Sequence, residues 1–239
     1  MKTKYLGKND SKPQTGYKIL DPIKRIRSSE SYGFDFWNAY EFSYLDVNKQ
    51  PTLKVLEIKI PVTSEFIIES KSLKLYLNSF YKKSFTSDKD VLEKIQKDLL
   101  KVSSSNIDIR FIKSFEVEPK SLNLNITSRK YTKPNYPICF DGFRSICPVT
   151  SQPDFAKIYI LTSVKIETIW LRKLLTSFKE SGEFHEQCIE NIFYKLSKKY
   201  PNDDFEVCGR FLRRGGIDIN PIRSSKKSLF FKNFRAFNQ

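Results

Sequence analysis

Apolar and polar positions alternate strongly in two early stretches of the chain. Over 34–44 the aromatic residues Phe34, Phe36, Trp37, Tyr40, Phe42 and Tyr44 fall mostly on even positions, the period of a strand with one buried face. Asn48-Lys49-Gln50-Pro51 reads as a hairpin turn. Leu56, Ile58, Ile60 and Val62 then alternate with Glu57, Lys59 and Pro61 and predict a second strand. From here the period changes. Leu73, Tyr76, Leu77 and Phe80 share one face of a helix that starts near Glu69 to Ser72. Val91, Leu92, Ile95 and Leu99 stripe a second helix over 88–101, which Ser103-Ser104-Ser105 breaks. Ile107, Ile109 and Phe111 alternate with Asp108 and Arg110 and predict another strand. Further on, the pattern predicts a strand over 155–161, a helix over 167–178 with Leu171, Leu174, Leu175 and Phe178 inward, and a helix over 185–197 with Ile189, Ile192, Phe193 and Leu196 inward. A late strand carries Phe205, Val207 and Phe211, and Arg213-Arg214-Gly215-Gly216 reads as a turn.

The two halves repeat. A shift of 98 residues lays Ile68-Glu69-Ser70 on Ile166-Glu167-Thr168 and Leu77-Asn78-Ser79-Phe80 on Leu175-Thr176-Ser177-Phe178. Each half reads strand, strand, helix, helix, strand, so two similar modules are expected to bury their helices on one side of a joint antiparallel sheet. The expected division is an extended arm over 1–30, a first module over 31–112, a connector over 113–143 with one strand at 122–126, and a second module over 144–239. The second half lacks the Glu-Ser-Lys-Ser wording and the first lacks a counterpart of His185-Glu186, so each copy has kept a different part of one shared site.

Composition narrows the classes. Aromatics make up 14% of the 239 residues, enough for a substantial core, and the net charge is +15. That charge suits either an anionic partner or a solvated basic surface. None of Cys139, Cys147, Cys188 and Cys208 forms a CxxC pair, and His185 with Cys188 has no second pair to complete a metal site, so no metal is expected. The first residues hold no apolar run of signal-peptide length, and no stretch approaches a membrane span, so a cytoplasmic protein with free thiols is expected.

Candidate chemistry sits in Arg144-Ser145-Ile146-Cys147-Pro148-Val149-Thr150-Ser151-Gln152-Pro153-Asp154. Its two prolines disfavour a helix and suit a rigid loop that presents a thiol and a carboxyl group to one pocket. A thiolate adds to an electron-poor carbon, and a nearby carboxylic acid delivers the proton that the addition needs. Taken alone, a cysteine is more often a small buried hydrophobe. Arg144, three residues upstream, is a candidate to favour the thiolate.

Four motifs together resemble one family. Glu69-Ser70-Lys71-Ser72-Leu73-Lys74-Leu75-Tyr76 resembles the signature helix start of the NADPH-dependent 7-cyano-7-deazaguanine reductases, the QueF-type nitrile reductases of queuosine biosynthesis. Cys147-Pro-Val-Thr-Ser-Gln-Pro-Asp154 resembles their catalytic loop, Phe184-His185-Glu186-Gln187-Cys188 their substrate-binding helix start, and Arg213-Arg214-Gly215-Gly216-Ile217-Asp218-Ile219-Asn220-Pro221 their C-terminal signature. Signature before cysteine is the order of the bimodular branch.

The resemblance implies an α+β fold of tandem tunnelling-fold (T-fold) modules, antiparallel sheets with helices on the outer face. It implies reduction of the nitrile of 7-cyano-7-deazaguanine to an aminomethyl group with two NADPH and no metal. Cys147 would form a covalent thioimide and Asp154 would be the proton donor. Ile68, Glu69, Ser70, His185 and Glu186 would hold the base, and Ser70, Lys71, Arg214 and Gly215 would hold NADPH. A homodimer acting on the free base is implied, with no membrane and no need for direct tRNA binding. The chain is shorter than the usual bimodular form, chiefly at the N-terminus and over 113–143, and its loop reads Cys-Pro as in the single-module branch. Neither departure touches the residues named.

The same residues are consistent with the chemistry. A carboxylate such as Glu69 or Glu186 accepts two N–H donors from one edge of a deazaguanine, although Glu69 also reads as a helix-start charge favoured by the dipole. Lys71 and Arg214 suit phosphates, and no GxGxxG follows a strand. Three rivals stand beside this reading. The first is a basic nucleic-acid-binding module without catalysis. The second is a pterin-pathway cyclohydrolase of the same fold, whose metal set one histidine cannot supply. The third is a degenerate, non-catalytic member.

Overall fold

A computed structural model describes residues 16–132 and 136–239. In chain order the strands and helices are β1 (Pro22–Lys24), β2 (Tyr32–Leu45), β3 (Pro51–Pro61), β4 (Phe66–Ile68), α1 (Ser70–Asn78), α2 (Asp88–Ser103), β5 (Asp108–Ile112), β6 (Leu122–Asn123), β7 (Tyr131–Thr132), β8 (Ile138–Ile146), β9 (Pro153–Thr162), β10 (Ile166–Glu167), α3 (Thr168–Thr176), α4 (His185–Lys199), β11 (Phe205–Phe211) and β12 (Ile217–Ser224). The fold is α+β. The repeat is visible in the elements: α1 and α3 have bounds related by the 98-residue shift, and each follows a short strand, β4 or β10, that pairs antiparallel with another, β1 or β7.

The chain folds as two units, interleaved along the sequence. Among the described residues the first takes 16–25, 36–114 and 213–217; the second takes 26–35, 115–132, 136–212 and 218–239.

In the first unit the strand order is β5-β3-β2. Leu56, Ile58 and Ile60 of β3 are fully buried, as are Leu73 and Tyr76 of α1 and Val91, Ile95 and Leu99 of α2. The two helices therefore bury the stripes that their periodicity predicts. Part of the expected arm 1–30 lies outside the described residues. From residue 16 onward it is not an extended arm: a 3-10 turn spans Gly16–Ile19, and β1 pairs with β4, Ile23 opposite Ile67. The physical reason is that Ile19, Leu20 and Ile23 are buried, in a run too short to show a period.

In the second unit β12, β11, β9, β8 and β6 follow in that order, antiparallel except for the β6–β8 pair. Ala156, Ile158 and Ile160 of β9 and Phe205, Val207 and Phe211 of β11 face α3 and α4 in one apolar cluster. The basic aromatic tail covers the opposite face of the same strands. Tyr159 packs edge-on to Phe231 and Phe234. The Glu206 carboxylate accepts the backbone N–H groups of Phe230 (3.0 Å) and Phe231 (2.7 Å). The buried Arg210 lies over the Phe234 ring and donates to Asn233 Oδ1 (3.1 Å) and to the Lys232 carbonyl. A further buried ion-pair group joins Arg223 of β12 to Glu190 of α4 (2.6 Å) and to Asp35 (2.8 Å).

Strand β8 falls within residues expected to be connector and loop. Its alternation is broken by a bulge: the register with β9 shifts between Phe140 and Phe143, where Gly142 takes φ +76°. Phe140 and Phe143 therefore both reach the helix-side core although they lie three positions apart.

Candidate active site

The second unit carries the candidate nucleophile at the tip of the β8–β9 hairpin. Ser145 lies opposite Asp154 and Ile146 opposite Pro153. Beyond them Cys147 N–H donates to the Gln152 carbonyl (2.8 Å), and Ser151 N–H returns to the Cys147 carbonyl (3.0 Å). The expected rigid loop is thus only residues 147–152, with Ser151 in the left-handed region at φ +57°. This closure makes Cys147 and Asp154 diagonal neighbours across the hairpin, about 7 Å apart at the backbone. Sequence separation of seven residues becomes spatial adjacency.

Asp154 continues the helix-side row of β9 and is buried. Its Oδ2 lies 3.4 Å from Nε2 of His185, the first residue of α4. The helix start is tied to the base of the cysteine loop. Ile146 N–H donates to the Ser181 carbonyl (2.9 Å), Glu183 N–H donates to the Ile146 carbonyl (3.1 Å), and Gly182 packs on Pro148. The His185 ring stacks face to face on Phe211, centroids 3.9 Å apart and planes 6° apart. Its Nδ1 is buried and has no hydrogen-bond partner among the described residues. Glu186, next in the helix, is buried and lies in the first turn, where the helix dipole favours a negative charge.

The cysteines divide clearly. Cys139, Cys188 and Cys208 are buried, and burial pushes all three thiols up, that of Cys208 to about 11. A thiol so raised is a poor nucleophile. Cys147 alone is half-exposed. Arg144 does not serve it: its Nη1 donates to the Lys179 carbonyl and pairs with Glu180 (3.3 Å).

The first unit carries the other candidates. Ile68 ends β4 and is buried. Glu69 is the N-cap of α1: its Oε1 accepts Lys71 N–H (2.7 Å) and its Oε2 accepts Ser72 N–H (2.8 Å). Both oxygens therefore serve the helix start, and Oε1 also accepts the Ser70 hydroxyl (3.3 Å). Burial raises the Glu69 carboxyl above the ordinary carboxylate range, although these two N–H groups and the Ser70 hydroxyl oppose the rise. Ser70 and Lys71 are half-buried in the first turn. Arg214 and Gly215 sit in a tight turn closed by Arg214 N–H to the Ile217 carbonyl (2.8 Å). Gly215 takes φ +58°, and the amine of Lys74 occupies the space beside it where a side chain would go. Lys74 thus links the α1 start to the Arg214-Gly215 turn. The sequence signal for it was the three-residue step from Lys71, which puts both on one helix face.

Phosphates need cations and close backbone approach. The Lys74 amine beside the exposed Gly215, with Arg214 next to it in the turn and Ser70 and Lys71 in the first turn of α1, meets that need, so the residues present fit a dinucleotide phosphate. Among the described residues no group of three or more His, Cys, Asp and Glu is placed to hold a metal ion.

Comparison with known proteins agrees with both halves. Residues 21–111 match the family model of the N-terminal part of nitrile reductase, 7-cyano-7-deazaguanine reductase, and residues 153–229 match that of QueF-like proteins. The NADPH-dependent 7-cyano-7-deazaguanine reductase of Coxiella burnetii (strain RSA 331 / Henzerling II) is 34% identical over 228 residues, covering 87% of this chain and 82% of the relative. That of Buchnera aphidicola subsp. Schizaphis graminum is 37% identical over 216 residues, covering 81% and 82%. That of Desulfotalea psychrophila is 35% identical over 253 residues, covering 92% and 91%. The chain belongs to this family. As a member of it, the chain has the α+β architecture expected of T-fold-like modules, with a signature helix start in its first matched segment and a cysteine loop just before its second.

Proposed function

We propose that the protein reduces the nitrile of 7-cyano-7-deazaguanine to 7-aminomethyl-7-deazaguanine with NADPH, in the pathway to queuosine. The observation that carries the reading is the corner of the second unit where a half-exposed Cys147, a buried Asp154 and His185 converge.

The Cys147 thiolate adds to the nitrile carbon, one C–N π bond opens, and the nitrogen takes a proton from Asp154, giving a thioimide. His185 Nε2 faces the Asp154 carboxyl group and holds it in place, and His185 Nδ1 is left to meet the base. When bound, NADPH would supply one hydride to each of two successive two-electron reductions; the C–S bond breaks between them and returns the Cys147 thiolate, and the second reduction takes one further proton, from solvent, onto the nitrogen. Glu186 and Glu69 are carboxylates suited to accept N–H donors of the base, and Ile68 and Ser70 are the further motif residues for it. Ser70, Lys71, Arg214 and Gly215 hold NADPH. In this reading residues 31–112 supply the signature helix with Ser70 and Lys71, and 144–239 supply the catalytic loop, His185-Glu186 and the Arg214-Gly215 turn, with 113–143 between them. The protein is a cytoplasmic homodimer that acts on the free base, without membrane or tRNA. Among the described residues no helix is long and apolar enough to cross a membrane.

Mixing the protein with the nitrile base and NADPH tests this reading. About two NADPH should be oxidised per base consumed, with the aminomethyl product seen by mass spectrometry. Oxidation of NADPH without product, or none at all by folded protein, refutes it.

A further inference from the structure

The reductase reading leaves the net charge of +15 unused. Within the second unit four of the lysines line one groove. A surface groove of about 440 Å³ runs between α3 and α4, lined by Trp170, Lys173 and Leu174 of α3 and by Lys195, Lys198 and Lys199 of α4. Only Lys199 pairs with a carboxylate there, Glu167 at 3.8 Å. Lys173, Lys195 and Lys198 have no carboxylate partner among the described residues. Four ammonium groups in one groove repel one another, and an anion relieves that repulsion. Rings alternate with these cations. The Lys199 ammonium lies 4.3 Å from the centre of the half-buried Trp170 ring, Lys198 lies 6.0 Å from that of the exposed Tyr194, and Tyr200 meets Trp170 edge-on at 6.0 Å. None of these residues belongs to the catalytic set.

We infer that this groove binds single-stranded nucleic acid, independently of nitrile reduction. Phosphates meet the lysines, and a base stacks on Trp170 as Lys199 moves from the ring face to a phosphate. An acidic peptide would use the lysines but has no planar group for Trp170. The alternation of ring and ammonium therefore favours a chain that itself alternates planar bases with phosphates.

Anisotropy of a labelled single-stranded oligouridylate of about a dozen residues tests the inference on the full-length protein. The logarithm of affinity should fall with that of salt at about −0.7 per phosphate contacted, or about −2 to −3 for this groove. Lys195→Glu with Lys198→Glu should weaken binding at least about tenfold and flatten the slope by roughly 1.4. Trp170→Ala should weaken it about tenfold with the slope unchanged. Lys173→Glu, on the other helix, repeats the test should the double variant fail to fold. Melting temperature and nitrile reduction should stay as in wild type. No binding by wild type overturns the inference, and so does binding that survives these substitutions. Displacement of the oligonucleotide by polyglutamate at equal charge also overturns it, since the groove would then capture anions of any kind.

Discussion

Asp154 and His185 show what single residues contribute. A carboxyl group that must deliver a proton needs a fixed position more than an unusual neighbour. Here the 3.4 Å approach of His185, itself stacked on Phe211, supplies that position. Asp154→Asn keeps the shape and removes the acid. It should lower the rate of nitrile reduction by about 10²- to 10⁴-fold while the base still binds. An unchanged rate would remove Asp154 from the chemistry. Glu69 carries a separate expectation at low pH. Burial raises its carboxyl pKa in the folded state, so the folded protein takes up a proton before the unfolded chain does. Its contribution to stability therefore rises as pH falls from the raised value toward the unfolded carboxylate value of about 4.3, and is lost as pH climbs back. Thermal melting of wild type and Glu69→Gln from about pH 7 to about pH 4 should show the difference moving in favour of wild type on acidification. A constant difference would contradict it. At this scale the sequence motif pointed to His185 as a ligand of the base. The His185–Asp154 contact and the Phe211 stack were not legible, because they join residues dozens of positions apart with no shared period. The pairing of Arg144 with Glu180 was hidden for the same reason.

At the scale of elements, the helices and strands β2, β3 and β9 were legible because each keeps one period over most of its length, whereas β12, buried along its whole length, shows no alternation and reads only as the stretch after a turn. Strand β8 was not legible, because the bulge at Gly142 flips its parity between Phe140 and Phe143. The bulge keeps Phe140 and Phe143 on the core face, whereas the hairpin closure puts Ser145 opposite Asp154 and Cys147 on the same face as Asp154. Deleting Gly142, the extra residue, leaves Phe140 opposite Ile158 and Phe143 opposite Ala156, so the cysteine keeps its face. The expected result is a folded protein, by circular dichroism, that still reacts with the nitrile base. Loss of reactivity in that folded deletion would show that the bulge does set the geometry of the cysteine. The glycine itself fits its place: at φ +76° another residue costs about 1–2 kcal/mol. Helix α1 makes a related point. Its cap is the motif residue Glu69, so one carboxylate both starts the helix and stands among the candidate ligands of the base.

For the whole molecule, the repeat read from sequence corresponds to two sets of like elements, but the units are interleaved and not consecutive. Segment 26–35 joins the second unit and 213–217 the first, and no local pattern announces either exchange. Buried charge explains part of it. Arg223 is wholly enclosed and is held protonated, because Asp35 and Glu190 outweigh the effect of its burial. Asp35 thereby ties an early segment into the second unit. The tail, unassigned from sequence, covers the second face of β9 and β11 through Phe231, Phe234 and the Glu206 and Arg210 contacts.

The central claim is that Cys147 is the nucleophile of a nitrile reductase, and intact mass measures it most directly. Wild-type protein mixed with 7-cyano-7-deazaguanine in the absence of NADPH should gain the mass of one ligand. Cys147→Ala should gain nothing, and added NADPH should discharge the wild-type adduct. An adduct that persists in Cys147→Ala, or none on folded wild type that binds the base, would contradict the account.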